Sequence, residues 1–168
     1  MKLNIKSLEE SDYEQILVGW WKDWKWEAPV KDFLPDQGKG GLIVYDDKTP
    51  VCAGFIYMTN SKVAWVDWII SNKDYTNKAN RKAALSLLVD ALTRVAQSAG
   101  NKFTYALIKH DGLIKTYEEL GYIQGDSYNK EMIKILEKIY MMPNKIILKK
   151  FKYLEYLIYN NLKNENDF

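Results

Sequence analysis

Apolar and polar residues alternate over Leu3-Asn4-Ile5-Lys6, the two-residue period of a half-buried strand. Ser7 and Ser11 each stand three residues before a glutamate, Glu10 and Glu14, which is capping-box spacing, so a helix is expected from near Ser11 to about Lys22. Pro29, Pro35, Gly38, Gly40 and Gly41 then mark a loop, with one helical turn expected at Lys31–Leu34. Two apolar runs, Gly41–Tyr45 and Val51–Met58, flank the turn-rich stretch Asp46-Asp47-Lys48-Thr49-Pro50 and predict an antiparallel hairpin. A turn at Asn60-Ser61-Lys62 leads into a third strand, Val63–Ile70, in which Asp67 is the one charged residue.

From Asn80 to Ala99 the period lengthens: Ala84, Leu88, Ala91, Leu92 and Val95 recur at helical spacing, and Gly100 stands where a left-handed C-cap belongs. Phe103–Ile108 follows as a strand, giving the strand, helix, strand order of a parallel crossover. Asp111 is expected to cap a helix through Leu120 that Gly121 ends, and Glu131–Leu136 to form a last strand. Beyond Pro143, Ile147, Phe151, Leu154, Ile158 and Leu162 recur at three- to four-residue steps behind Lys145, Lys149, Lys150 and Lys152. That amphipathic helix is expected to cover a bare face of the domain or to pair with a second copy as a homodimer, in preference to lying on an anionic membrane. The order of elements predicts an α+β domain over residues 1–137, a mixed, mainly antiparallel twisted sheet flanked by helices, with a C-terminal helical extension over 138–168.

Composition narrows the classes. A chain of 168 residues suits one domain, and 47% hydrophobic with 27% charged residues is the mix of a chain that folds. The net charge of +2 carries no strong nucleic-acid signature, so any anion site must be local. A single cysteine, Cys52, and a single histidine, His110, leave neither a disulfide nor a Cys/His metal site to build, and no metal is expected. No apolar run approaches a membrane span and no leader pattern is present, so a cytoplasmic protein is expected. Arginine occurs only at Arg81 and Arg94 while asparagine, tyrosine and isoleucine abound, the bias of an AT-rich coding genome.

With this order of elements, Tyr75-Thr76-Asn77-Lys78-Ala79-Asn80-Arg81-Lys82-Ala83-Ala84-Leu85 resembles the acyl-CoA signature of the GNAT superfamily of N-acetyltransferases, Tyr-Arg-Gly-Lys-Gly-Ile-Gly-Lys-Ala-Leu-Leu. Tyr75, Lys78, Lys82, Ala83 and Leu85 match, whereas Thr76 replaces the arginine, Ala79 the central glycine and Arg81 the last glycine. Thr116-Tyr117-Glu118-Glu119-Leu120-Gly121-Tyr122 resembles the Leu-Tyr-Glu-Lys-Leu-Gly-Phe that ends the last helix in that family. Ser11-Asp12-Tyr13 resembles its first-helix opening, and Ala53-Gly54-Phe55 its second and third strands. The resemblance covers roughly residues 2–136, and the glycine-poor loops look more like those of viral members than of antibiotic-modifying ones.

The resemblance implies acetyl-CoA as co-substrate, with Ile69, Ile70 and Ser71 along the pantetheine arm and Thr76, Asn77, Lys78, Ala79, Asn80, Arg81 and Lys82 around the pyrophosphate. The residues supply a reason of their own. A strand end feeding a helix N-terminus presents unpaired N–H groups and a positive dipole end, and cations crowded there, which oppose the dipole, suit an anionic partner. A cap by Asn77 or Asn80 with a merely solvated first turn is the structural alternative. Tyr117 resembles the tyrosine that protonates the departing thiolate, and also stands where it can pack with Leu113 and Leu120. Asp67 is a candidate base for an ammonium acceptor, since a desolvated carboxylate is more basic, and His110 a weaker one. In Trp20-Trp21-Lys22-Asp23-Trp24-Lys25-Trp26, Trp20 and Trp24 share a helical face and Trp21 lies about 100° around, so the four rings cannot all enter one core.

These features predict an N-acetyltransferase that moves an acyl group from acyl-CoA to a primary amine, small or macromolecular, by direct attack in a ternary complex. The alternative is a catalytically inactive binding module on the same fold, which the lost glycines favour.

Overall fold

The alternation at Leu3–Lys6 becomes strand β1 (Leu3–Ser7), the first of five strands in one sheet of order β1-β2-β3-β4-β5. The computed structural model describes residues 2–125. The expected strand Glu131–Leu136, the extension 138–168 and the domain boundary at 137 lie outside the described residues.

Strands β2 (Gly41–Asp46), β3 (Thr49–Met58) and β4 (Val63–Ser71) continue the sheet by antiparallel pairing, and β5 (Phe103–Tyr105) joins β4 in parallel. Between β4 and β5 runs helix α3 (Lys78–Ser98), ended by Gly100 at φ +81°, the left-handed conformation that glycine adopts without steric cost. Helix α4 (Asp111–Glu119) follows, and Gly121 at φ +89° ends it. His110, in extended conformation, caps α4 by accepting the Gly112 N–H on Nδ1 at 3.1 Å, so the cap expected of Asp111 falls one residue earlier. Asp111 sits instead in the first turn, where its charge complements the dipole.

The N-terminal helix also differs from its expected form. It begins one residue before Ser11 as α1 (Glu10–Asp12), with Asp12 Oδ2 accepting the Glu9 N–H at 2.8 Å in place of the serine boxes. A π-helical turn, Tyr13–Leu17, then leads into α2 (Val18–Asp23). Trp20 and its neighbour Trp21 are both buried, Trp24 is half-buried, and Trp26 is 56% exposed, so the four rings do divide between core and surface. Two short 3-10 turns, Lys31–Phe33 and Pro35–Gly38, fill the loop.

Neighbouring strand residues divide between two cores, as a period of two requires. Val44, Ile56, Ala64 and Val66 pack with Ala84, Leu88, Val89, Leu92 and Ala96 of α3 and with Tyr117 of α4. Ile43, Ala53, Phe55 and Ile70 pack with Tyr13, Leu17, Trp20 and Trp21. The sheet is therefore covered by α3 and α4 on one face and by the π turn and α2 on the other. The result is a mixed α/β fold with a five-stranded, mostly antiparallel sheet.

Candidate functional site

Strand β4 pairs with β3 from Ala64 to Ser71, with one irregularity, but with β5 only at Val63, Ala64 and Trp65. The strand expected over Phe103–Ile108 stops at Tyr105, and among the described residues nothing pairs with the β5-facing edge of β4 beyond Trp65. Beyond that point β4 is itself irregular. Phe55 faces Asp67 and Ala53 faces Ile70, so Trp68 and Ile69 stand opposite Gly54 alone, and Trp68 takes φ +53°. Two residues against one is a β-bulge, which bends its strand. Glycine at position 54 leaves room for the bulge: a Cβ there would lie 2.3 Å from Ile69 Cδ1, so that side chain would have to shift. Ile69, Ile70 and Ser71 thus occupy the open edge, with Ile70 buried and Ile69 and Ser71 half-buried.

The open edge leads through Asn72–Thr76 to the start of α3. Asn77 caps this helix, its Oδ1 accepting the Asn80 N–H at 3.1 Å, which leaves the N–H groups of Lys78 and Ala79 without an intrahelical acceptor. Thr76, Asn77, Lys78 and Ala79 are exposed. The loop is fastened from two sides. From the β2–β3 hairpin, Asp46 Oδ2 accepts the Tyr75 hydroxyl at 2.6 Å and Asn80 Nδ2 at 3.1 Å, and Asp46 Oδ1 accepts the Lys2 N–H at 3.0 Å. Those hydrogen bonds, Tyr75's first, hold the Asp46 carboxyl below the usual carboxylate range. Asn72 adds a tie from Nδ2 to the Pro50 carbonyl at 3.0 Å.

The second fastening is Arg81. Its Nη2 donates to the carbonyls of Asn72 and Lys73, each at 3.2 Å, and to that of Tyr75. The guanidinium is turned into the loop, toward three carbonyls that have left the sheet ladder, rather than outward from the helix start. A planar cation with five donors suits that convergence, and it holds the loop in the position where the resembled signature has its last glycine. Lys82 is also engaged, Nζ lying 2.7 Å from Glu119 Oε1 of α4. Lys78 is exposed at the first helical position.

Tyr117 is 2% exposed and packs edge-on against Tyr122, ring centroids 4.7 Å apart, in the same cluster as Leu113 and Leu120. Burial drives its phenol pKa well above the ordinary value, and the charges of Tyr122 and Asp67 push the same way. Asp67 is half-buried and accepts its neighbour's Trp68 N–H on Oδ1 at 2.7 Å. Asp67 stands on β4 just ahead of the open edge, on the face of its partner Phe55, whereas Tyr117 packs in the core under α3 and α4. His110 stands apart from them in role, as the cap of α4. Cys52 is fully buried, and burial raises its thiol pKa, so it stays protonated in the core.

Across the sheet, Trp24 Nε1 donates to the Ser71 carbonyl at 2.8 Å and Lys73 Nζ to the Asp23 carbonyl at 3.0 Å, tying the end of α2 to the end of β4. Sequence reasoning passed over Asp46 and Trp68. Asp46 reads as a turn residue, and Trp68 as ordinary strand filler. The signal available was Gly54 within a long apolar strand, since an interior glycine marks a bulge or a close approach.

No protein-family model matches the chain, and no curated protein does. Solved structures match its fold. An acetyltransferase from Trypanosoma brucei is 16% identical with a TM-score of 0.55, over 79% of this chain and 100% of that one. Glucosamine-6-phosphate N-acetyltransferase from Arabidopsis thaliana is 14% identical with a TM-score of 0.54, over 82% of this chain and 100% of that one. AAC(6')-Iy, solved with a CoA bisubstrate analogue, is 14% identical with a TM-score of 0.55, over 80% of this chain and 100% of that one. At these identities the likeness is one of fold, and the fold is that of the GNAT N-acetyltransferases.

Proposed function

We propose that this GNAT-fold chain is an acyl-CoA-dependent N-acyltransferase that carries an acetyl group to a primary amine by direct attack in a ternary complex. The observation that carries the reading is the divergence of β4 from β5 directly ahead of a capped, cation-bearing helix start. An extended chain bearing amides fits an open strand edge, because the edge offers N–H and C=O groups at strand spacing. A pyrophosphate fits the N–H groups of Lys78 and Ala79, with Lys78 adding charge. Acetyl-CoA meets both requirements in one molecule.

In this reading Ile69, Ile70 and Ser71 hold the pantetheine arm, and backbone N–H groups of the same edge polarise the thioester carbonyl. Asp67 takes a proton from the ammonium. The free amine nitrogen bonds to the carbonyl carbon, the C–S bond breaks, and Tyr117 gives its proton to the departing sulfur, to be reprotonated from water. The products are an amide and a thiol. Holding two substrates in attack geometry supplies much of the rate, and no nucleophilic residue of the chain is needed.

Arg81 favours a second reading, a binding module on the same fold, because a cation expected at the phosphates is engaged with loop carbonyls. Calorimetric titration with acetyl-CoA and with desulfo-CoA tests both. Binding of either, with thiol release from acetyl-CoA when an amine is added, supports the enzyme; binding without turnover over a broad amine panel supports the module; failure of both titrations removes the acyl-CoA assignment.

A further inference from the structure

The bulge in β4 also changes which way its side chains face. Residues directly opposite in an antiparallel ladder point to one face, so Asp67 shares the face of its partner Phe55, which lies in the core under α2. Trp68, the next residue, packs on the same core: its ring meets Trp21 at 6.5 Å and Phe33 at 5.9 Å, edge-on in both cases. Successive strand residues ordinarily face opposite ways. The positive φ of Trp68 sets a carboxylate and an indole side by side instead.

Tyr57 completes the group. Its hydroxyl donates to the Phe33 carbonyl at 2.7 Å. Burial raises its phenol pKa to about 12. Two residues along β3 from Phe55, Tyr57 shares the face of Phe55 and Asp67 and packs on the same core as Trp68. Phe33 is 44% exposed and Val30, three residues before it, 61% exposed, which gives the group an open apolar rim. One carboxylate therefore stands beside Trp68 on the face it shares with Tyr57, with Phe33 against the far side of the group, just ahead of the stretch of β4 assigned to the pantetheine arm.

We propose that Asp67, Trp68, Tyr57 and Phe33 select the acceptor, and that the acceptor is a small monoamine whose ammonium is carried on an aromatic or comparably apolar body. The inference rests on the acyltransferase reading and names its second substrate. Asp67 supplies the countercharge for the ammonium, and aromatic faces attract a cation and bury an apolar body together. A phosphorylated amino sugar would set its anion beside Asp67, and a polyamine would leave further charges against apolar rings, so both are disfavoured.

The test uses the full-length chain with desulfo-CoA present and absent, titrated calorimetrically with phenethylamine, spermidine and glucosamine 6-phosphate. Phenethylamine should bind at least tenfold more tightly than the other two. Phe33→Ala, at the exposed rim, and Trp68→Phe, which keeps a ring, should each weaken phenethylamine several-fold while desulfo-CoA affinity stays within twofold. Equal or tighter binding of spermidine or glucosamine 6-phosphate would overturn the proposal, as would phenethylamine affinity untouched by either variant. Loss of desulfo-CoA binding with phenethylamine selectivity retained would count against the acyl-CoA reading and leave the amine site standing.

Discussion

The hydroxyl of Tyr75 donates to Asp46 Oδ2 over 2.6 Å, joining the loop ahead of α3 to the tip of the β2–β3 hairpin. With Asn80 on the same oxygen, this contact sets where the helix start faces before any ligand arrives. Asp46→Asn should keep the fold and weaken CoA several-fold, with faster amide exchange confined to residues near 72–80. Unchanged exchange in that segment would show that the contact does not order the loop.

The same carboxylate gives a pH dependence with a definite sign. Its folded pKa lies below the unfolded value of about 3.9, so its contribution is present above that value and lost as pH falls through the folded one. The stability gap between the wild-type chain and Asp46→Asn should hold steady from about pH 5 to 7 and shrink below about pH 4. Urea midpoints across that range measure it, and a gap independent of pH would contradict the assignment.

Arg81 and Lys78 should separate by mechanism. Arg81→Ala leaves the Asn72, Lys73 and Tyr75 carbonyls without their shared donor, so it should lower both thermal stability and CoA affinity. Lys78→Ala removes an exposed charge, should change stability by less than about 0.5 kcal/mol, and should weaken CoA alone. Melting temperature and CoA titration on both variants decide this, and equal behaviour of the two would refute the division.

Tyr117→Phe tests the acid. A positioned general acid contributes about 10²–10⁴-fold, so turnover should fall by that order while CoA affinity holds. Burial keeps the phenol protonated, so wild-type activity should show no alkaline limb from Tyr117 below about pH 10. A raised folded pKa also means that stability is fully present below the unfolded value near about 10 and declines above it, a decline that Tyr117→Phe should reduce. A variant that turns over at full speed would assign Tyr117 to packing alone, with Leu113, Leu120 and Tyr122.

Gly41→Ala should cost about 1–3 kcal/mol through overpacking, since a Cβ there would lie 2.2 Å from the Gly54 carbonyl oxygen and 3.0 Å from Leu8 Cδ1. Backbone cannot yield as a side-chain tip does, so β2 would have to move away from β3. A melting temperature equal to that of the wild-type chain would refute the contact.

Much of the architecture was legible because it depends on short-range period and punctuation. Alternation marked β1, apolar runs between turns marked β2 through β4, the spacing of Ala84, Leu88, Leu92 and Val95 marked α3, and Gly100 and Gly121 marked helix ends, all of them local backbone preferences written in a few consecutive residues. The helix caps were less legible, because serine, aspartate and histidine compete over one or two positions: Glu9 with Asp12, and His110, won over Ser11 and Asp111.

The candidate site divides in the same way. By itself the sequence determined that a helix start rich in cations follows a strand bearing one carboxylate, and that a tyrosine-bearing helix comes later. Only the tertiary structure decided that Trp68 forms a bulge, because the bulge exists through the pairing of Trp68 and Ile69 against Gly54 on another strand. From that pairing follows the placing of Asp67 beside Trp68. The direction of Arg81 was likewise decided in three dimensions: its charge is evident from composition, but the carbonyls that claim it converge only once Asn72, Lys73 and Tyr75 leave the sheet ladder.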